Sequence, residues 1–142
     1  MKKTIVQVFG VFDLLHQGHI YFLKQAKKLG DRLVVIISRD TVVRSRKNIL
    51  PYQNEKTRLK NIKKLPFVYK AYFGNNNPKH NYGMVLKVKP DVIAVGYDQK
   101  PTLTIIKKNL NGLGLSPRLK RLDPLKPNKY KSSVIRQGLQ KK

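Results

Sequence analysis

Ile5-Val6-Gln7-Val8-Phe9 runs directly into Gly10-Val11-Phe12-Asp13-Leu14-Leu15-His16-Gln17-Gly18-His19, and the reading of this junction decides the fold. The first five residues have the length and character of a buried strand. From Gly18 onward, Ile20, Leu23, Ala26 and Leu29 recur at helical spacing and line one face. A strand that turns sharply into a helix leaves unpaired N–H groups and the positive end of the helix dipole at the turn. Two imidazoles at that mouth can donate hydrogen bonds to phosphoryl oxygens, and glycine lets the backbone come close to a bulky anion. The junction therefore reads as a place that holds phosphates.

Outward from it, apolar runs alternate with helical patterns. Strands are predicted over Ile5–Phe9, Leu33–Ile37, Phe67–Phe73 and Val92–Val95, with a weaker one over Arg118–Leu122. Helices are predicted over Gly18–Leu29, Thr41–Arg46, Glu55–Lys64, Tyr82–Val88, Leu103–Asn111 and Ser132–Leu139. Gly30 stands where a left-handed C-cap belongs. Val34 to Ile37 is a continuous β-branched run that suits a strand covered on both sides. The pattern predicts an α/β fold: a Rossmann-like, doubly wound, five-stranded parallel sheet in a single domain over residues 1–142, with 140–142 frayed. In such sheets ligands bind at the carboxyl ends of strands, where the strand order reverses. Asn48–Asn54 and Gly74–Asn81 read as mobile loops.

Composition narrows the class. No apolar run approaches the ~20 residues that span a bilayer, and no small-residue cleavage site follows the N-terminal run, so neither a membrane helix nor a signal peptide is expected. Cysteine is absent, which excludes disulfides and thiolate metal sites and makes the cytoplasm the expected compartment. Lys and Arg number 31 against 7 Asp and Glu, a formal net charge of +24. Such a field attracts polyanions, whether nucleotides or nucleic acid. Most lysines fall on outer helix faces, as in Lys24, Lys27, Lys28, Lys60, Lys63 and Lys64, which favours a solvated surface over a dedicated groove. Asp31, Asp91 and Asp123 sit at loop positions where Asp also serves as a turn or cap residue. A basic nucleic-acid-binding module is the reading from a different class. A homodimer is compatible with this surface if its contact patch is apolar.

The sequence has neither G-x-x-x-x-G-K-[ST] nor G-x-G-x-x-G, so its phosphate site is built otherwise. Gly10 to His19 resembles the G-x-F-D-x-x-H-x-G-H element of the cytidylyltransferase-like nucleotidyltransferase superfamily. Ser132-Ser133-Val134-Ile135-Arg136 resembles the C-terminal element that holds the β and γ phosphates in that superfamily. Gly96-Tyr97-Asp98-Gln99 is similar to the tetrad of the archaeal-type FAD synthases, with the glycerol-3-phosphate cytidylyltransferases second. Lys47 and Arg58 match a basic residue and an Arg at the start of a helix.

The resemblance implies transfer of a nucleoside monophosphate from a nucleoside triphosphate to a phosphorylated acceptor, with release of pyrophosphate. Most specifically it implies ATP plus FMN giving FAD; the alternative is CTP with glycerol 3-phosphate or a similar polyol phosphate. It implies Mg²⁺ with the nucleotide and assigns no residue as a protein metal ligand. His16, His19 and Lys47 are implied as catalytic. Nucleotide contacts are implied at Gly10, Val11, Phe12, Asp13, Gly18, Arg58, Gly96, Tyr97, Asp98, Ser132, Ser133 and Arg136. Asp13 and Asp98 are candidates to orient the imidazoles, the ribose or a hydrated Mg²⁺.

Overall fold

Five parallel strands stand in the order β3-β2-β1-β4-β5. They are β1 (Ile5–Gly10), β2 (Arg32–Ile37), β3 (Lys70–Phe73), β4 (Val92–Val95) and β5 (Arg118–Arg121). The helices are α1 (Gln17–Lys27), α2 (Asp40–Lys47), α3 (Glu55–Lys63), α4 (Gly83–Val88) and α5 (Leu103–Gly112). The structure, a computed structural model, describes residues 3–75, 83–96 and 103–123. The predicted helix Ser132–Leu139 and most of the Gly74–Asn81 loop lie outside them.

The α/β reading and the parallel sheet are what the structure has. Strand order turns back between β1 and β4, which puts the carboxyl end of β1 at the switch point. Side chains alternate across the pleat and build two apolar layers. Val6, Val8, Leu33, Val35, Ile37, Val92 and Ala94 face Leu23 and Ala26 of α1 and Ile62 of α3. Ile93 and Val95 face Val85 of α4 and Ile106 and Leu110 of α5. Gln7 breaks the pattern: it is fully buried in the central strand, and its amide has no hydrogen-bond partner among the described residues. An unpaired buried amide is a cost that this core carries.

The amino end of β1 is clamped on both sides by carboxylates. Thr4 N donates to Asp31 Oδ2 at 2.8 Å, and Ile5 N donates to Asp91 Oδ2 at 2.8 Å. In return Asp31 N donates to Thr4 O and Asp91 N to Ile5 O. These acids fix the register of the three central strands far from the switch point.

Two expectations are corrected. The predicted strand from Phe67 begins only at Lys70, because Val68 N turns back to Leu65 O at 3.1 Å after α3. Phe67 and Val68 instead pack on the core from that turn. Gly30 is not a left-handed cap: α1 closes on Lys28 in right-handed geometry, and Gly114 is the one glycine with positive φ among the described residues. Gly30 is required for close approach, since a Cβ there would stand 2.8 Å from Val6 Cγ2 and 2.9 Å from Thr4 O.

Candidate active site

The turn from β1 into α1 is made of L-residues in left-handed conformation. Phe12 has φ 52° and Leu14 has φ 51°, a rare and strained arrangement that the surroundings must hold. Phe12 folds back over Gly10, where a Cβ would meet its Cε2 at 2.5 Å and its Cζ at 2.7 Å. The ring is 5% exposed, lies edge-on to His19 at 5.5 Å between centroids, and stacks on Phe22 at 6.3 Å. The Phe12 ring thus belongs to the core. The residue shapes the floor under His19.

His16 is the N-cap of α1, and its Nδ1 accepts from Gly18 N at 3.1 Å. His19, three residues on, accepts from His16 N on its own Nδ1 at 3.3 Å. The two imidazoles thus form a reciprocal capping box, a job usually done by Ser or Thr with Glu. Their rings stack at 3.7 Å between centroids. An Nδ1 that accepts carries no proton, so the neutral ring bears its proton on Nε2 and is a donor there. His16 Nε2 is shielded from solvent, so a phosphoryl oxygen reaches it only by displacing its cover.

Burial holds both rings neutral. His16 is lowered from its ordinary value by desolvation. His19 is lowered to about 3, first by desolvation and then by repulsion from His16, with Asp13 pulling the other way. The unfolded chain takes up this proton near 6.5 and the folded chain only near 3, so between these values the unfolded state binds more protons. The stability from a neutral His19 is complete above pH 6.5 and is lost as pH falls through about 3. We expect the urea midpoint to fall between pH 6.5 and 4, and to fall less steeply in His19→Asn. Equal slopes in the two proteins contradict this origin.

Asp13 is 2% exposed and works within the fold. Its Oδ2 accepts from Tyr52 N at 2.8 Å and its Oδ1 from Gln53 N at 2.9 Å. Gln53 Oε1 in turn accepts from Leu14 N at 3.2 Å, which helps hold the strained turn. This carboxylate, a candidate to orient the imidazoles, the ribose or a hydrated Mg²⁺, fastens residues 52 and 53 to the turn before the imidazoles. The Asn48–Asn54 stretch, expected to be mobile, is anchored at its second half.

Arg58, expected to contact nucleotide, is a buried brace in the fold. It is 0% exposed; its Nε donates to Gln53 O at 3.0 Å, one terminal nitrogen to Val11 O at 2.8 Å, and the other to Asp40 Oδ1 at 2.6 Å. Asp40 and Glu55 open α2 and α3 and cap each other's helix. Asp40 N donates to Glu55 Oε1 at 2.8 Å and Glu55 N to Asp40 Oδ2 at 3.1 Å. Arg39 closes the network on Glu55 Oε2 at 2.9 Å. Spacing alone does not find this network, because all but one of its ties join residues 15 to 47 apart.

Gly10, Val11, Gly18 and both histidines come together at the carboxyl end of β1. Gly96 directly follows β4, which pairs with β1 through Val92 beside Val6 and Ile93 beside Gln7. Its carbonyl accepts from Arg121 at 2.6 Å. Lys47 is exposed in the last turn of α2, just before Asn48 turns left-handed at φ 60°. Tyr97, Asp98, Ser132, Ser133 and Arg136 lie outside the described residues.

A doubly wound sheet with a donor-rich helix mouth at its switch point defines a nucleotide-handling α/β enzyme. The cytidylyltransferase-like family matches residues 8–138, and the chain belongs to that family; it is a nucleotidyltransferase. It is 37% identical to an FAD synthase of Thermoplasma acidophilum over 94% of this chain and 92% of that one. It is 42% identical to an FAD synthase of Methanosarcina mazei over 84% and 76% of the two chains. Among solved structures, a protein from Thermoplasma volcanium described as a lipopolysaccharide core biosynthesis protein superposes with a TM-score of 0.83 at 38% identity. That match covers 87% of this chain and 99% of the other.

Proposed function

We propose that this enzyme transfers AMP from ATP to the phosphate of FMN, giving FAD and pyrophosphate. A phosphate oxygen of FMN attacks the α-phosphorus in line; the new O–Pα bond forms as the bond from Pα to the oxygen bridging Pβ breaks, and that oxygen leaves with pyrophosphate. The attacking oxygen is already ionised, so no general base is needed. Positioning and stabilisation of charge carry the reaction.

The observation that carries this reading is the stacked pair of neutral imidazoles whose Nδ1 atoms are occupied by amides. The remaining donors, Nε2 of His16 and His19, meet the α-phosphate as negative charge builds. A dry surrounding strengthens such donors. Lys47 and, beyond the described residues, Ser132, Ser133 and Arg136 receive the leaving pyrophosphate. Gly10, Val11 and Gly18 supply close backbone approach, and Gly96, Tyr97 and Asp98 flank the nucleoside. Among the described residues no group of three or more His, Cys, Asp or Glu is arranged to hold a metal, and Asp13 is already occupied by two amides. Mg²⁺ enters as part of the ATP substrate, neutralising its phosphates. The relatives at 37–42% identity are FAD synthases, which supports FMN and ATP as the pair.

The test is incubation with Mg²⁺, each nucleoside triphosphate in turn and either FMN or glycerol 3-phosphate, reading FAD and pyrophosphate. FAD from ATP is expected. Pyrophosphate released only with CTP and glycerol 3-phosphate contradicts the proposal.

A further inference from the structure

The loop after α2 carries three large apolar side chains to the surface. Ile49 is 52% exposed, Leu50 54% and Tyr52 47%. Single exposed apolar residues are ordinary, but three within four positions on an anchored loop are not. The second half of the loop is held in place: Asp13 accepts from the amides of Tyr52 and Gln53, and Gln53 reaches back to Leu14 in the turn before the imidazoles. The strip therefore ends against the turn that leads from β1 into the imidazole pair. Arg44, Arg46 and Lys47, in the last turn of α2, lead directly into it.

Cations running into an apolar strip match a ligand that is anionic at one end and flat and apolar at the other. Two ligands of this reaction have flat ends: the nucleotide base and the acceptor ring. The strip follows β2 and α2, on one side of β1, whereas Gly96 follows β4 on the other. With the nucleoside on the β4 side of the switch point, the β2 side is left to the acceptor.

We propose that Ile49, Leu50 and Tyr52 form the subsite for the planar tricyclic ring of the acceptor, with Tyr52 as its stacking surface. This rests on the reading of FMN as acceptor. Tyr52 then sets acceptor specificity: it holds a flavin phosphate and gains nothing from a polyol phosphate that lacks a ring.

The experiment pairs steady-state kinetics with titration of FMN fluorescence, which stacking quenches. Tyr52→Ala is expected to raise the KM for FMN about tenfold and to weaken FMN binding equally, with the KM for ATP within about twofold. Tyr52→Phe should keep both near the starting protein. Tyr69→Ala, an equally exposed tyrosine at the β3 edge (48%), should change neither. Unchanged FMN binding in both Tyr52→Ala and the Leu50→Ala/Tyr52→Ala double variant overturns the subsite, as does a starting protein that binds no FMN. A rise confined to the KM for ATP also overturns it and gives the strip to the nucleotide. A starting protein that binds FMN through Tyr52 but forms no FAD upholds the ring subsite while removing the proposed reaction.

Discussion

His19→Asn is expected to lower turnover by about 10²–10³ while leaving the protein folded, by analogy with loss of one donor at a site of developing negative charge. The choice of asparagine follows from the geometry. Its Oδ1 falls near the place of Nδ1 and can still accept from His16 N, which His19 now does at 3.3 Å. Nothing replaces Nε2. His19→Gln is the converse: its amide N–H falls near the place of Nε2, while the cap to His16 is lost. Glutamine should therefore retain more turnover than asparagine and show the lower stability. If the capping box were the whole purpose of His19, the ranking would reverse. Steady-state turnover and urea unfolding of the two variants separate the roles, and near-normal turnover in His19→Asn contradicts the one assigned.

Arg58→Ala is expected to destabilise the fold by about 3–5 kcal/mol, the range for breaking a buried ion pair by removing one partner. Small domains have only about 5–15 kcal/mol in total, so this is a large share. Three acceptors on separate parts of the chain, Gln53 O, Val11 O and Asp40 Oδ1, lose their donor together. Arg58→Lys should recover only part of the loss, because one ammonium cannot match a fork that serves three directions. The variant should also lose activity, since Val11 lies in the turn and Gln53 supports it. Denaturant unfolding checks this, and a loss below about 1 kcal/mol would show that the network is not a structural brace.

The sheet and its helices are legible in the sequence because their signals are local. The β-branched run at Val34–Ile37 and the spacing of Ile20, Leu23, Ala26 and Leu29 each report a period within one element. The strand-to-helix junction is legible for the same reason, and with it the grouping of both histidines at the switch point. The seven acids are harder to read. Asp31 and Asp91, which read as loop residues, clamp β1; Asp13 pins a loop; Asp40 and Glu55 cap one another. Each tie joins residues far apart in the chain, 86 positions in the case of Asp91, and no local pattern carries that information. The positive φ of Phe12 and Leu14 has no sign in the sequence, because neither is a glycine or asparagine. Arg58 stands at the helix start that its spacing implies, and there it braces the fold. A lone Arg in a chain with 31 basic residues carries no sign of burial.

In the proposed reaction, nucleotidyl transfer depends on the imidazole pair meeting the phosphate whose bond is exchanged. A crystal structure with α,β-methylene ATP tests that directly. It should place α-phosphate oxygens within hydrogen-bond distance of Nε2 of both His16 and His19, with each Nδ1 still on its amide. A triphosphate bound elsewhere, with both rings turned into the core, would contradict it.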